Sequence, residues 1–196
     1  MVKKTTIDLI MDKLAINNIL KIQSLSGELE FERASSLYLK TRKQSKEDAS
    51  LSEVRDHLKK LIKKYEQEHW SDEDQISDEQ IKESDFAEAF VRNENEFLQK
   101  RKELIRKKLK TYNLNQNDLA RILGHQKGYM SELINGLRPF SKDDIIVIHR
   151  LLKINLEDLF PPFIPQERAI HIKSILEKLS ASGVKLRKQD LNLETT

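Results

Sequence analysis

Residues 115–160 read NQNDLARILG (115–124), then HQKGYMSELING (125–136), then a third apolar-periodic run that ends in NLEDLF (155–160). The pattern predicts two short helices that meet at a glycine turn, because Gly124 can take a left-handed conformation without the steric cost of a Cβ. The second helix is apolar where it would face a core and polar where it would face a DNA groove. The stretch therefore favours sequence-specific DNA binding over catalysis.

The composition favours an all-α protein. The 196 residues include only 5 Gly and 4 Pro, and 34% of them are charged. Cysteine is absent, which excludes disulfides, thiolate metal sites and cysteine nucleophiles. Asp8 and Asp12 interrupt any signal-peptide core, and no run of about 18 apolar residues could span a membrane. We therefore expect a cytoplasmic protein with no membrane partner.

Charge is distributed unevenly along the chain. Residues 1–98 contain 16 Lys and Arg against 21 Asp and Glu, whereas residues 99–196 contain 19 against 11. The asymmetry indicates either a basic half that faces a polyanion or charged faces that are merely solvated. The basic run over 100–110 is expected to be a solvated face that attracts phosphates without sequence preference at most.

Residues 1–70 are predicted to form a small helical domain, and residues 71–97 an acidic linker. The helices of the domain would cover 5–22, 28–40 and the region from residue 51, where SLSE (50–53) is a capping box, with a charged loop over 41–49. Residues 66–96 hold 12 Asp and Glu against two basic residues, so we expect a linker with a short helix around 85–91 at most.

Residues 98–162 are predicted to form a five-helix DNA-binding domain, with helices at about 98–111, 115–122, 126–134, 141–151 and 156–160. Asn115 is the expected N-cap of the second helix, and SKDD (141–144) starts the fourth. The expected core draws apolar side chains from these helices: Leu119, Ala120, Ile122, Leu123, Met130, Leu133, Ile145, Ile148, Leu151 and Leu152.

Residues 163–182 are predicted to form a further amphipathic helix, and residues 183–196 a disordered tail. The apolar stripe of this helix needs burial. It would dimerise the protein, dock on the helix at 98–111 or bind a partner.

The runs LNQNDLARILG (114–124) and MSELING (130–136) resemble the lambda-repressor-like, or XRE-type, helix-turn-helix over roughly residues 100–160. INLEDLF (154–160) is similar to the closing helix of that family. Ile134 departs from the common pattern, in which many members have a glutamate. SELINGLRPFS (131–141) is instead similar to the HigA-type antitoxins of bacterial type II toxin–antitoxin modules, and LIKKYEQEHW (61–70) resembles a run that those antitoxins carry ahead of the DNA-binding domain.

The resemblance implies a DNA-binding surface on the second and third helices of the domain. Its expected residues are Gln116, Gln126, Lys127, Tyr129, Ser131, Glu132, Asn135 and Arg138. Those at the front of the third helix would reach base edges, with lysine favouring guanine and glutamine favouring adenine. Lys127 could instead be a solvated surface lysine.

The remaining roles follow from position in the motif. Gln116, assisted by the amides of its helix N-terminus, would bond a backbone phosphate, and Asn135 and Arg138 would clamp the backbone after the third helix. Gly128 falls at a position that often makes contact but has no side chain. Glu132 would either accept from a cytosine amine or repel phosphate.

The resemblance implies a nucleoid-associated antitoxin that neutralises a small basic mRNA-cleaving toxin. It would also repress its own operon as a homodimer on double-stranded operator DNA. The alternative is a stand-alone XRE-type repressor without a toxin. An enzyme is disfavoured, because no phosphate-cradling glycine loop occurs and five histidines lack metal-ligand spacing within one element: His57, His69, His125, His149 and His171. We expect no catalytic residue, metal or cofactor.

Overall fold

The computed structural model describes residues 16–45, 51–164 and 166–181, and every regular element in these ranges is helical. The prediction of an all-α fold is therefore confirmed. The α-helices are α1 (Ile16–Ile19), α2 (Glu28–Gln44), α3 (Leu51–His69), α4 (Asp78–Thr111), α5 (Gln116–Leu123), α6 (Lys127–Ile134), α7 (Lys142–Leu152) and α8 (Gln166–Ala181). Two short 3-10 helices cover Glu73–Gln75 and Leu156–Asp158. In the described part of the chain, no helix has the length and apolar character needed to cross a membrane.

Several predicted boundaries at the N-terminal end need correction. The helix predicted over 5–22 ends at Ile19, and its residues 5–15 lie outside the described ranges. Thr41 to Gln44 belong to α2, not to a loop, since Thr41 is buried and its hydroxyl donates to the carbonyl of Tyr38 at 3.0 Å. Ser50, the first residue of the capping box predicted at 50–53, lies outside the described residues.

The first three helices and the turn after α1 enclose one apolar core. α3 supplies a stripe at helical spacing, as expected for a helix with one buried face. The buried residues of this core are Ile19, Leu25, Ala34, Leu37, Leu51, Val54, Leu58, Leu61, Tyr65 and Leu137. Leu137 follows α6 in sequence, so the core of the N-terminal helices also holds the turn that comes after α6.

A buried carboxylate ties α2 to α3. Glu28 is 3% exposed, and its Oε1 accepts hydrogen bonds from the Tyr65 hydroxyl and the Trp70 indole, each at 3.0 Å. The Tyr65 ring also stacks on Phe31 with ring centroids 4.9 Å apart. Burial, reinforced by the hydrogen bond to Glu28, raises the pKa of Tyr65. Tyr65 and Trp70 of the run 61–70 thus hold the N-terminal core together.

α4 replaces most of the predicted linker. It is continuous for 34 residues, and its N-cap Ser77 accepts a hydrogen bond from the amide of Gln80. Acidic residues stand in its first turn and basic residues in its last, which complements the helix dipole. The expectation of irregular structure with a short helix at 85–91 is therefore wrong from Asp78 onward.

α4 also packs against the N-terminal helices, which joins two regions predicted as separate. Arg33 on α2 forms a part-buried ion pair with Glu94 at 2.6 Å, and Ser36 donates to Asn95 at 3.1 Å. Ala87, Phe90 and Val91 of α4 are buried. The described residues up to Phe160 form one compact unit, and those from Pro161 form a second.

The C-terminal half of α4 contributes to a second apolar core with α5, α6, α7 and the residues on either side of the 3-10 helix at Leu156–Asp158. Its buried residues are Ile105, Leu109, Leu119, Ala120, Met130, Leu133, Ile134, Phe140, Ile145, Ile148, Leu152, Ile154 and Leu159. Most of the predicted core is confirmed, but Ile122 and Leu151 are wrong, with 48% and 37% of each exposed. In each helix it is the next residue, Leu123 or Leu152, that packs on the core.

α8 begins within the predicted range of 163–182 and reaches Ala181, which confirms the helix. Within the second unit, Ala169 and Leu176 are buried, whereas Ile175 and Leu179 are exposed. The predicted disordered tail at 183–196 lies outside the described residues.

Two glycines take conformations that other residues rarely adopt. Gly124 ends α5 at φ 72°, and Gly136 follows α6 at φ 71°. At Gly136 the amide of Leu137 donates to the carbonyl of Glu132 at 2.9 Å, which closes a Schellman-type turn. A Cβ on Gly136 would lie 2.9 Å from the Leu98 side chain, whereas one on Gly124 would meet nothing within 4 Å.

Alanine substitutions at three glycines should give a graded series of stabilities. Gly128→Ala should leave stability unchanged or raise it by up to about 1 kcal/mol, because the position is helical and open. Gly124→Ala should cost about 1 kcal/mol through its positive φ, and Gly136→Ala about 2 kcal/mol through the same strain plus the Leu98 contact. Urea unfolding of the three variants measures the order. A Gly128→Ala variant as unstable as the other two would contradict it.

Candidate nucleic-acid interface

The turn between α5 and α6 is built as the sequence predicts. Asn115 caps α5 by accepting from the amides of Asn117 and Asp118, and the Asp118 carboxylate accepts from the Asn115 amide at 2.9 Å. Ala120, at the crossing of the two helices, is 3% exposed. The His125 amide donates to the Ala120 carbonyl at 2.8 Å, which fixes the start of the turn. Gln116, the first residue of α5, is half-buried at this end of the helix.

The first turn of α6 faces solvent. Gln126 is its N-cap residue, but its side chain makes no capping hydrogen bond to the amides of this turn. Gln126, Lys127 and Tyr129 are exposed, while Met130 and Leu133 are fully buried. The predicted exposure of these polar residues and the predicted burial of the two apolar ones are confirmed.

Tyr129 lies between two polar side chains. The guanidinium carbon of Arg138 lies 5.2 Å from the Tyr129 ring centroid, a cation–π arrangement, and the His125 ring centroid lies 5.0 Å away. His125 Nε2 is 2.9 Å from Asp144 Oδ1, and Asp144 caps α7 together with Ser141. The ring of Tyr129 is therefore held in one orientation on the exposed side of α6.

Glu132 and Arg138 pair with each other. Arg138 Nε donates to Glu132 Oε2, and both side chains are mostly shielded from solvent, with 13% and 17% of the arginine and glutamate side chains exposed. The sequence-based roles treated the two residues as independent contacts. In the structure the turn at Gly136 brings Arg138 back over α6, so the Glu132 charge is compensated before any ligand arrives.

Ser131 and Asn135 are also joined. Asn135 Nδ2 donates to Ser131 Oγ at 3.3 Å, and both residues are half-buried at the C-terminal end of α6. The structure thus separates the predicted residues into an exposed front (Gln126, Lys127, Tyr129) and a hydrogen-bonded rear (Ser131, Glu132, Asn135, Arg138), with Gln116 on the preceding helix.

Two residues that sequence reasoning did not assign support this surface. His125 orients Tyr129, and its position directly after the turn glycine is the signal that could have indicated it. Arg101 belongs to the basic run expected to be solvated but is 5% exposed, between the Phe97 and Phe140 rings. Its Nη1 donates to the Leu159 carbonyl at 3.3 Å, and burial lowers its pKa to about 10. Arg101 remains charged at neutral pH as a core residue.

Comparison with known proteins gives no match: the chain matches no protein family, no curated protein and no solved structure. Within the described ranges, no group of three or more His, Asp and Glu side chains is placed to hold a metal ion.

Proposed function

We propose that the protein binds DNA sequence-specifically through α6. The observation that carries this proposal is the first turn of α6, where Gln126, Lys127 and Tyr129 are exposed on a helix whose opposite face is fixed by buried Met130 and Leu133. A helix anchored on one side can present the other to the major groove in a single orientation.

The chemistry of the exposed front suits base recognition. Lys127 donates to the O6 and N7 acceptors of guanine, Gln126 forms two hydrogen bonds with adenine, and the Tyr129 hydroxyl donates or accepts. Gln116 and the uncapped amides of α6 bond backbone phosphates, which sets the register on the duplex. Base specificity then rests on three side chains, since Gly128 contributes none.

We further propose that the protein is an antitoxin that represses its own operon as a homodimer. The resemblance of 61–70 and 131–141 to HigA-type antitoxins supports this role. The first turns of α4 carry exposed acidic residues, namely Asp78, Glu79, Glu83 and Asp85, and these offer negative charge to a small basic toxin that cleaves mRNA. Such a protein acts in the bacterial cytoplasm and associates with the nucleoid through DNA.

DNA binding is tested by titrating the full chain into a fluorescent duplex that carries the DNA upstream of its own gene. A scrambled duplex of equal length and composition is the control. We expect about a thousandfold preference for the upstream duplex, two chains per site, and half-sites roughly one helical turn apart. Equal affinity for both duplexes would contradict sequence-specific binding.

The antitoxin role is tested separately by co-expression with the product of the adjacent gene. The expected result is growth arrest by that product alone and recovery when this chain is present. An adjacent product that neither arrests growth nor binds the chain would leave the stand-alone repressor as the function.

Glu132→Gln should strengthen DNA binding but make it less selective. The substitution removes a negative charge from the DNA-facing side and releases the Arg138 guanidinium from its ion pair. The affinity for the scrambled duplex should rise several-fold. The affinity should also fall more steeply with salt concentration, by the amount that one additional phosphate contact gives. Glu66→Gln, at an exposed position on α3, is the matched control and should change neither quantity. Unchanged binding to the scrambled duplex by Glu132→Gln would argue against this role.

A further inference from the structure

A basic cavity lies between α2 and α4 beside the C-terminal end of α6. Its volume is about 180 Å³. The lining residues are Lys40, Lys43, Asn95, Leu98, Gln99, Lys102 and Asn135. Three lysines and three residues with side-chain amides therefore line one space, and no Asp or Glu is among its lining residues.

In the described part of the chain, acidic residues act on the cavity lysines without forming ion pairs with them, as Glu94 does on Lys40 and Glu103 does on Lys102. Among the residues that the structure describes, none of the three forms an ion pair within 4 Å. Glu94 opposes the lowering of the Lys40 pKa, but its carboxylate is already paired with Arg33. The cavity thus concentrates positive charge that no ion pair among the described residues neutralises.

The lysines also act on one another. Burial lowers the pKa of Lys40, and Lys102 is one of the cations that lower it further. Burial likewise lowers the pKa of Lys102, and Arg106 and Lys43 add to this effect while Glu103 opposes it. Like charges held this close favour the binding of an anion, since an anion relieves their repulsion.

We propose that this cavity binds a phosphate group. Lys40 and Lys43 line it from α2 and Lys102 lines it from α4. The amides of Asn95, Gln99 and Asn135 add N–H donors beside the hydrogen bonds that Gln99 gives to Glu103 and Asn135 gives to Ser131, which suits a tetrahedral anion with several acceptor oxygens. The phosphate belongs either to a free phosphorylated small molecule or to the backbone of bound DNA. The site is distinct from the base-reading front of α6.

A ligand bound in the cavity would contact residues that are linked directly to α6 and to the turn after it. Asn135 lines the cavity and is hydrogen-bonded to Ser131 on α6, and Leu98 lines it while packing against Gly136. A bound phosphate therefore contacts the residues that end the recognition helix and start the turn toward Arg138.

The test measures thermal unfolding of the full chain, without DNA, in inorganic phosphate and in chloride of equal ionic strength. Phosphate near ten times its Kd should raise the Tm of the wild-type protein by about 3 °C more than chloride does. The double variant Lys40→Gln/Lys102→Gln should lose this difference. The control Lys59→Gln/Lys60→Gln, at exposed positions on α3, should keep it and thereby account for the general stabilising effect of phosphate. If the double variant does not fold, Lys43→Gln at an exposed position serves instead and should reduce the shift.

Equal phosphate shifts in the wild type, the cavity variants and the control would overturn the proposal. Because this experiment contains no DNA, its failure leaves the proposed DNA-binding function untouched, and the converse also holds. Where the site is present, the salt dependence of DNA binding identifies the source of the phosphate. The quantity to compare is the slope of the logarithm of DNA affinity against the logarithm of salt concentration. If the double variant loses the equivalent of about one to two phosphate contacts from this slope, the phosphate belongs to DNA. If the slope is unchanged, the phosphate belongs to a free phosphorylated ligand.

Discussion

Glu28→Ala is expected to lower the free energy of unfolding by about 2–3 kcal/mol. The substitution leaves the buried Tyr65 hydroxyl and the part-buried Trp70 indole without their shared acceptor, and each unsatisfied buried donor costs about 1–3 kcal/mol. Burying a carboxylate is itself unfavourable, and Oε2 of Glu28 has no hydrogen-bond partner. Removing this carboxylate therefore offsets part of the cost. Urea unfolding followed by circular dichroism measures the change.

Glu28→Gln is the matched control for this prediction. Its amide oxygen can accept both hydrogen bonds, so we expect a change within about 1 kcal/mol of the wild type. The comparison separates the acceptor from the charge. Equal destabilisation by the two variants would mean that the charge of Glu28, and not its acceptor, holds α2 and α3 together.

The best-predicted parts of the fold are those with local signals. The capping residues Asn115 and Ser141 predict the starts of α5 and α7, and both capping boxes are present in the structure. Gly124 marks the turn because only the left-handed conformation lets the chain enter α6. Met130 and Leu133 follow from helical periodicity alone.

The length of α4 was missed because its first half carries a strongly acidic composition, which suggested a linker. Two signals pointed to a helix: residues 78–111 contain neither Gly nor Pro, and Ala87, Phe90 and Val91 recur at helical spacing. The acidic composition indicates only that most of this stretch is solvated. The packing of α4 against α2 depends on a few apolar residues within the stretch and on residues that form an ion pair or hydrogen bond with α2.

The rear of the candidate interface could not be predicted from the sequence. The pairing of Glu132 with Arg138 depends on how far the chain turns at Gly136, and that turn places Leu137 in the N-terminal core. The cavity beside Asn135 likewise brings together residues from three helices that are far apart in the chain. Such contacts follow from tertiary packing, which local periodicity does not specify.

Removal of the two front polar side chains is expected to lower the preference for the upstream duplex by about tenfold or more without affecting the fold. Gln126 makes no capping bond and Lys127 is exposed, so Gln126→Ala/Lys127→Ala should unfold at the wild-type temperature. Each lost bidentate base contact is worth about 1–3 kcal/mol, so the affinity for the upstream duplex should fall at least about tenfold. Affinity for the scrambled duplex should fall much less, through the loss of one charge.

A matched control for this variant is Lys60→Ala/Gln67→Ala, which makes the same two substitutions at exposed positions of α3. It removes the same charge and the same amide on a different helix. We expect wild-type affinity for both duplexes, so any loss seen only in the α6 variant belongs to the position of the side chains.

The measurement to make is the ratio of the two dissociation constants, for the upstream and the scrambled duplex, by fluorescence anisotropy at one fixed salt concentration. The wild type and the α3 control should show the same large ratio, and Gln126→Ala/Lys127→Ala should bring it down by about tenfold or more. An unchanged ratio in the α6 variant would contradict base recognition by the front of α6, as would a wild-type ratio near one.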